Sequence, residues 1–137
     1  FIVDVYQGGT GTSNHMNCNE ILANRANELL GGRKGEYSPV HPNDHPNYGQ
    51  STNDVTPTVL RLTFLKKHGP LMASLRQLEN AFRNKAEQFS DVLICGRTHM
   101  QDAVPLTLGQ QMGAYANALA DAAENLEFAS NKLCAIG

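Results

Sequence analysis

The chain is poor in three things, and each shortage removes a class of function. Its three cysteines, Cys18, Cys95 and Cys134, lie far apart and form no CxxC pair. A cysteine metal cluster and a disulfide framework are therefore excluded, and reduced thiols in a cytoplasmic protein are the expectation. Basic charge is also short, with 11 Lys and Arg against 13 Asp and Glu for a net charge of −2. No positive field draws this chain to nucleic acid. No apolar run approaches the ~20 residues that span a bilayer, so no membrane partner is expected. Phe1-Ile2-Val3-Asp4 carries neither an initiator Met nor a signal-peptide pattern, and the 137 residues read as part of a longer chain.

What is present suits a folded protein, since 41% apolar residues are enough for one ordinary domain with a core. The stretch up to Thr12 reads as a short strand and a loop. Helical spacing then runs from about Asn14 to Leu30, with Met16, Ile21, Leu22, Ala26, Leu29 and Leu30 on one side and Gly31-Gly32 as the stop. Pro39, Pro42 and Pro46 forbid regular helix over 31–50 and predict a long polar loop, a kind that is often functional. A second helix is predicted from about Asn53 to Lys67, with Gly69-Pro70 breaking and restarting the chain.

Two long seams follow. Leu71, Leu75, Leu78, Phe82, Lys85, Phe89 and Val92 are spaced alternately four and three apart, with Lys85 the one polar interruption. Leu108, Met112, Tyr115, Leu119, Ala122, Leu126, Ala129, Leu133 and Ile136 repeat that alternation. A helix over this second seam would be roughly 45 Å long at ~1.5 Å per residue. A core stripe within one chain explains the spacing equally well, but the length favours packing in a larger bundle. The expected fold is mainly α: residues 1–104 belong to an N-terminal helical domain with the binding loops, and 105–137 begin a long-helix bundle.

Chemistry concentrates in three loops. "QGGTGTS", residues 7–13, has the look of a phosphate cradle, yet no lysine follows Gly11 as a P-loop requires. Gly8, Gly9 and Gly11 also have the wrong spacing for a dinucleotide fold. Thr10, Thr12 and Ser13 are hydroxyl donors at a helix start, which suits a carboxylate, although a simple cap and tight turn use the same residues. "QSTND", residues 50–54, repeats the theme with Ser51, Thr52 and Asn53, and carries the same capping alternative. His41 and His45 have metal-ligand spacing only on a helix, which Pro42 and Pro46 forbid, so no metal is expected. "GRTHMQDAVP", residues 96–105, reads as a polar loop carrying Thr98 and His99 between the two seam helices. Neutral donors at three helix ends, plus one side chain that titrates near neutral pH, fit a small anion whose charge grows during reaction.

These stretches resemble the aspartase/fumarase superfamily, and the match covers nearly the whole chain. "GTSNHMNCNEILANRA" is similar to that family's GTSxNMNxNExxANRA, "VHPNDHPNYGQSTND" to HPNDxVNxSQS[ST]ND, and "GRTHMQDAVPLTLGQ" to GRTHxQDAxPxTLGQ. Three long matches in the right order are highly specific. The resemblance implies a mostly helical fold around a central long-helix bundle, a homotetramer, and reversible elimination yielding fumarate at sites built from several subunits. No cofactor is expected. Carried over residue by residue, Thr12, Ser51, Thr52, Asn53, Thr98 and His99 line the dicarboxylate site, with Thr98 and His99 the catalytic pair. His41, Asn43 and Asp44 match the stretch that forms a nearby secondary carboxylate site in fumarases.

The sequence departs from the family at two points. His15 stands where the family usually has Asn. The GSSxMPxKxNP loop, which carries the family's proton-abstracting serine, does not occur in residues 1–137, so this stretch by itself is expected to be inactive. "GGTGTS" followed by "STND" favours L-aspartate as substrate. Fumarate hydratase, or a non-catalytic helical assembly relative, is the alternative.

Overall fold

A loop without helix or strand must find partners for its backbone N–H and C=O groups, and the first helix supplies them. The computed structural model describes residues 1–7 and 10–135. Gly8 and Gly9 of the opening loop and Ile136 of the second seam lie outside the described residues. In chain order the elements are α1 (Thr12–Leu29), α2 (Thr52–Gln88), β1 (Leu93–Thr98), β2 (Gln101–Thr107) and α3 (Leu108–Lys132). The mainly α architecture matches the expectation. No strand forms among residues 1–7. Among the described residues no helix is long and apolar enough to cross a membrane. Residues 1–62 with Ala135 make one compact unit, and Thr63–Cys134 make another.

In the first unit the buried face of α1 is His15, Asn19, Ala23 and Asn27, one turn apart each. It is not the apolar side, because Leu22, Leu29 and Leu30 remain exposed. The reason lies in what the helix covers. Asn27, wholly buried, donates from Nδ2 to the Val40 carbonyl at 2.8 Å and accepts from the Val40 N–H at 2.7 Å. Asn24 Oδ1 accepts from the Gly35 N–H at 2.7 Å, and Asn19 Nδ2 donates to Asn47 Oδ1 at 3.2 Å. The amides substitute for the ladder that the 31–50 loop lacks. A leucine face would leave those loop groups unpaired.

The second unit departs from expectation in three places. α2 does not stop at Gly69-Pro70 but continues to Gln88. Proline removes one ladder bond and crowds one carbonyl, which bends a helix more readily than it ends one when both flanks are packed. Here Leu65, His68, Met72, Leu75, Glu79, Phe82, Ala86 and Phe89 form one half-buried to buried stripe through the Gly69-Pro70 step. Ending the helix at Gly69 would break that stripe.

The seams, too, are displaced in part: Leu75, Phe82 and Phe89 of the first and Leu108, Met112, Leu119 and Leu133 of the second are half-buried as expected. Met72, Glu79 and Ala86 take the inward places expected for Leu71, Leu78 and Lys85, leaving Leu71 48% and Leu78 47% exposed. On α3 Gly109, Gly113, Ala116, Ala120, Ala123 and Ser130 join Met112 and Leu119 in the less exposed places, while Tyr115 and Leu126 are exposed. Gly109 and Gly113 let α3 run close against α2 at Ala86. A Cβ at Gly109 would stand 2.5 Å from the Ala86 carbonyl oxygen. Phe82 meets Tyr115 edge-on at 5.6 Å, and His68 Nε2 lies 3.8 Å from a Glu127 carboxylate oxygen. The two helices therefore run antiparallel.

Finally, the expected polar loop at 96–105 is an antiparallel hairpin, with Leu93 opposite Thr107 and Thr98 opposite Gln101. A register shift between Cys95 and Arg97 marks a bulge at Gly96, where a Cβ would stand 2.4 Å from Leu106 Cδ2. Pro105 is tolerated because each strand has a free edge in a sheet of two. α3 then starts on a capping box, Thr107 Oγ1 accepting from the Gln110 N–H at 3.0 Å and Gln110 Oε1 from the Thr107 N–H at 2.9 Å.

The asparagine clamp can be tested. Asn27→Leu keeps the branched four-heavy-atom shape but strips both partners from Val40, at about 1–3 kcal/mol for each unpaired group. The thermal midpoint of the complete protein should fall, and protease cleavage should concentrate in 31–50. An unchanged midpoint would show that Val40 finds other partners.

Candidate functional site

Two helix starts meet in the first unit. α1 begins at Gly11, whose left-handed backbone (φ 89°, ψ 14°) forms the N-cap without a capping side chain. The first helical bond is donated by the His15 N–H to the Gly11 carbonyl at 3.0 Å. The N–H groups of Thr12, Ser13 and Asn14 precede it and have no helical acceptor, so the positive end of α1 is open to an anion. α2 begins on a cap: Ser51 Oγ accepts from the Asn53 N–H at 3.2 Å. That bond occupies a lone pair and leaves the Ser51 hydroxyl hydrogen to donate outward.

Two contacts tie the starts together. His15 Nδ1 lies 2.9 Å from Thr52 Oγ1 across 37 residues of sequence. A Cβ added at Gly11 would come within 3.0 Å of Thr56 Oγ1 and 3.1 Å of Thr56 Cγ2. Gly11 is thus required twice, for its positive φ and for the approach of Thr56. Sequence reasoning found Thr12, Ser51, Thr52 and Asn53, and all four lie in this unit on the two helix starts. It missed the bridge made by His15, whose signal was the departure from Asn at that position. A cavity of about 450 Å³ in the same unit is lined by Gly11, His15, Asn19, Gln50 and Thr56 among others. None of the four donors lines it.

Thr98 and His99 belong to the second unit, at the tip of the hairpin. His99 (φ 48°) and Met100 (φ 60°) form a two-residue turn with both φ values positive. Neither residue is glycine, so the tip is held in a conformation that most side chains avoid. Both Thr98 and His99 are exposed, and Thr98 also lines a 680 Å³ cavity beside the start of α3.

The secondary-site residues His41, Asn43 and Asp44 share one turn. His41 Nδ1 is 3.3 Å from Asp44 Oδ2 and also 3.3 Å from the Asn43 nitrogen, while His45 Nδ1 accepts from the His41 N–H at 2.9 Å. The two His41 contacts are exclusive: toward Asn43 the ring nitrogen must be bare, toward Asp44 it must carry a proton. Tyr37 packs edge-on to His41 at 5.3 Å and donates to Glu20 Oε1 at 3.1 Å. That bond to a carboxylate raises the phenol above its ordinary pKa. Among the described residues no three His, Cys, Asp or Glu side chains gather as a metal site. The two helix starts offer hydroxyl and backbone N–H groups, and Asp54 places a carboxylate in the first turn of α2.

A family profile described as lyase matches residues 1–135. The chain belongs to the aspartase/fumarase lyase superfamily. It is 54% identical over 121 residues to the aspartate ammonia-lyase of Pseudomonas canavaninivorans, covering 88% of this chain and 26% of that protein. Identity to the mitochondrial fumarate hydratase of Schizosaccharomyces pombe is 44% over 135 residues, 98% of this chain and 26% of that one. The native crystal structure of fumarate lyase:delta crystallin from Brucella melitensis superposes with a TM-score of 0.83 at 46% identity, covering 100% of this chain and 31% of that one. The chain spans about a quarter of the length of the curated relatives it matches.

Gly11 and Gly35 give a paired test of the helix junction. Both have positive φ (89° and 83°), but a Cβ at Gly35 meets nothing within 4 Å. Gly35→Ala should cost the backbone strain alone, about 1–2 kcal/mol. Gly11→Ala should cost more and also reduce turnover, because Thr56 must move. Equal thermal midpoints and equal turnover for the two variants would show that the Gly11–Thr56 approach does not matter.

Proposed function

We propose that the complete protein eliminates ammonia from L-aspartate to give fumarate. The observation that carries this reading is the meeting of two helix starts that offer hydroxyl and backbone N–H donors and no Lys or Arg, with Asp54 in the first turn of α2. In the reaction a base removes a proton from Cβ, the electrons form the carbon–carbon double bond, and the C–N bond breaks with loss of ammonia. On the way, the carboxylate next to Cβ gains a second negative charge. Donors already aimed at it strengthen as that charge develops, without reorganising, so they raise kcat and not only affinity.

In this reading Thr12, Ser51, Thr52 and Asn53 bind carboxylate at the α1 and α2 starts. Thr98 donates to the substrate, and His99 holds a carboxylate or positions a water. His41, Asn43 and Asp44 form a secondary carboxylate site. The proton-abstracting group is not among residues 1–137, where the GSSxMPxKxNP pattern is missing. The protein works as a cytoplasmic homotetramer, with residues 105–137 opening its central bundle. The apolar line left exposed along α2 and α3, including Leu71, Leu78, Tyr115 and Leu126, supports that assembly. The GGTGTS and STND stretches support aspartate over malate.

Substrate and site are tested together on the complete protein. Ammonia release from L-aspartate should be fast, and hydration of fumarate to malate slow; the reverse would make it a fumarate hydratase. His99→Asn should then lower kcat by about 10²–10³, the usual loss for one well-placed donor. Asparagine tolerates the left-handed turn that His99 occupies, so the hairpin and thermal midpoint should hold. A variant with normal kcat and a lowered midpoint would make His99 a structural turn residue.

A further inference from the structure

His15 carries an imbalance that the proposed mechanism does not use. It is 8% exposed, its Nδ1 is 2.9 Å from Thr52 Oγ1, and its Nε2 is buried with no hydrogen-bond partner among the described residues. A neutral imidazole has two tautomers. If Thr52 donated to a bare Nδ1, the other nitrogen would be a buried N–H with nothing to receive it, an arrangement that folded proteins rarely tolerate. If Nδ1 carries the hydrogen, it donates to Thr52, and only a lone pair is left over at Nε2. The second arrangement wastes less.

We propose that His15 is a positioning residue: its Nδ1–H donates to Thr52 Oγ1, which commits the Thr52 hydroxyl hydrogen to the substrate carboxylate. A threonine hydroxyl both accepts and donates, and a single hydroxyl hydrogen can go either to a neighbour or to the anion. With an acceptor beside it, Thr52 would spend its hydrogen inward. With a donor beside it, the hydrogen can only point out, and the bond received makes the hydroxyl a stronger donor in turn. Asparagine at this position can do the same, because its amide nitrogen stands as many bonds from Cα as the histidine Nδ1. The His15 departure from the family pattern therefore preserves a donor while changing its chemistry.

The inference rests on the reading that Thr52 binds carboxylate, and the test separates the two. Succinate, a four-carbon dicarboxylate with nothing to eliminate, is the probe, and its Kd for the complete protein is measured by calorimetry. Thr52→Val should weaken succinate at least about ten-fold, as expected for a bond to a charged group. His15→Leu should weaken it comparably, the double variant should bind no worse than Thr52→Val alone, and His15→Asn should restore near-native affinity. If Thr52→Val leaves succinate binding unchanged, both the carboxylate role of Thr52 and the role of His15 fall. If Thr52→Val weakens binding but His15→Leu does not, or if their effects multiply, only the His15 proposal falls. Solid-state ¹⁵N spectra of histidine-labelled protein, with His15 assigned by its loss in His15→Asn, read the tautomer directly. A hydrogen on Nδ1 supports the proposal, and one on Nε2 overturns it whether or not the leucine variant folds.

Discussion

Everything proposed for the site rests on two helices beginning at the same place. α1 and α2 start 40 residues apart in sequence, and each presents a positive end. Bringing like ends together is unfavourable unless something neutral lies between them and something negative eventually sits over them. The structure supplies the first requirement without a cation, and Asp54 adds a carboxylate in the first turn of α2. Gly11 has no Cβ to hold Thr56 away, and the His15 ring reaches Thr52. The second requirement is the substrate's. A lysine or arginine at this junction would bind a carboxylate more strongly in the ground state. It would also neutralise it early, and leave less to gain as the charge doubles.

The rest of the first unit keeps that junction in place. The 31–50 loop connects α1 to α2, and twenty residues of irregular backbone would let the second start wander. Asn19, Asn24 and Asn27 fix it along the length of α1 at Asn47, Gly35 and Val40. Candidate donors and scaffold thus share the same helix: hydroxyls at its first turn, and amides along one face behind them. The hairpin of the second unit follows the same economy. Strained φ values at His99 and Met100 are held at a tip whose strands are tied to α3 by a capping box.

Much of this was legible in the residues. The boundaries of α1, the helix-free 31–50 loop and the donors at 12, 51, 52 and 53 follow from prolines, glycines and caps, which act locally. Four features were not legible, and each depends on something distant. The buried face of α1 is polar because its neighbour is bare backbone, which no periodicity in α1 records. The seams were assigned to the largest residues, but Met72, Glu79 and Ala86 of α2 turn in beside the expected Leu75, Phe82 and Phe89, and on α3 Gly109 and Gly113 join the line because the backbones approach closely at Ala86. The 93–107 hairpin hid behind His-Met, a pair that gives no sign of a turn usually made by Asn-Gly. Pro70 looked like a stop because the packing that carries α2 past it lies on both sides. At the candidate site, Thr98 and His99 were proposed from a motif, whereas the His15–Thr52 bridge needed the fold.

The central claim is that the junction of the α1 and α2 starts receives a substrate carboxylate through neutral donors. A crystal structure of the complete protein with bound succinate tests it most directly. The account places one carboxylate within about 2.5–3.2 Å of the hydroxyls of Thr52 and Ser51 and of the backbone N–H groups at the start of α1. A succinate held by lysine or arginine elsewhere, with Thr12, Ser51 and Thr52 solvated and out of reach, would contradict it.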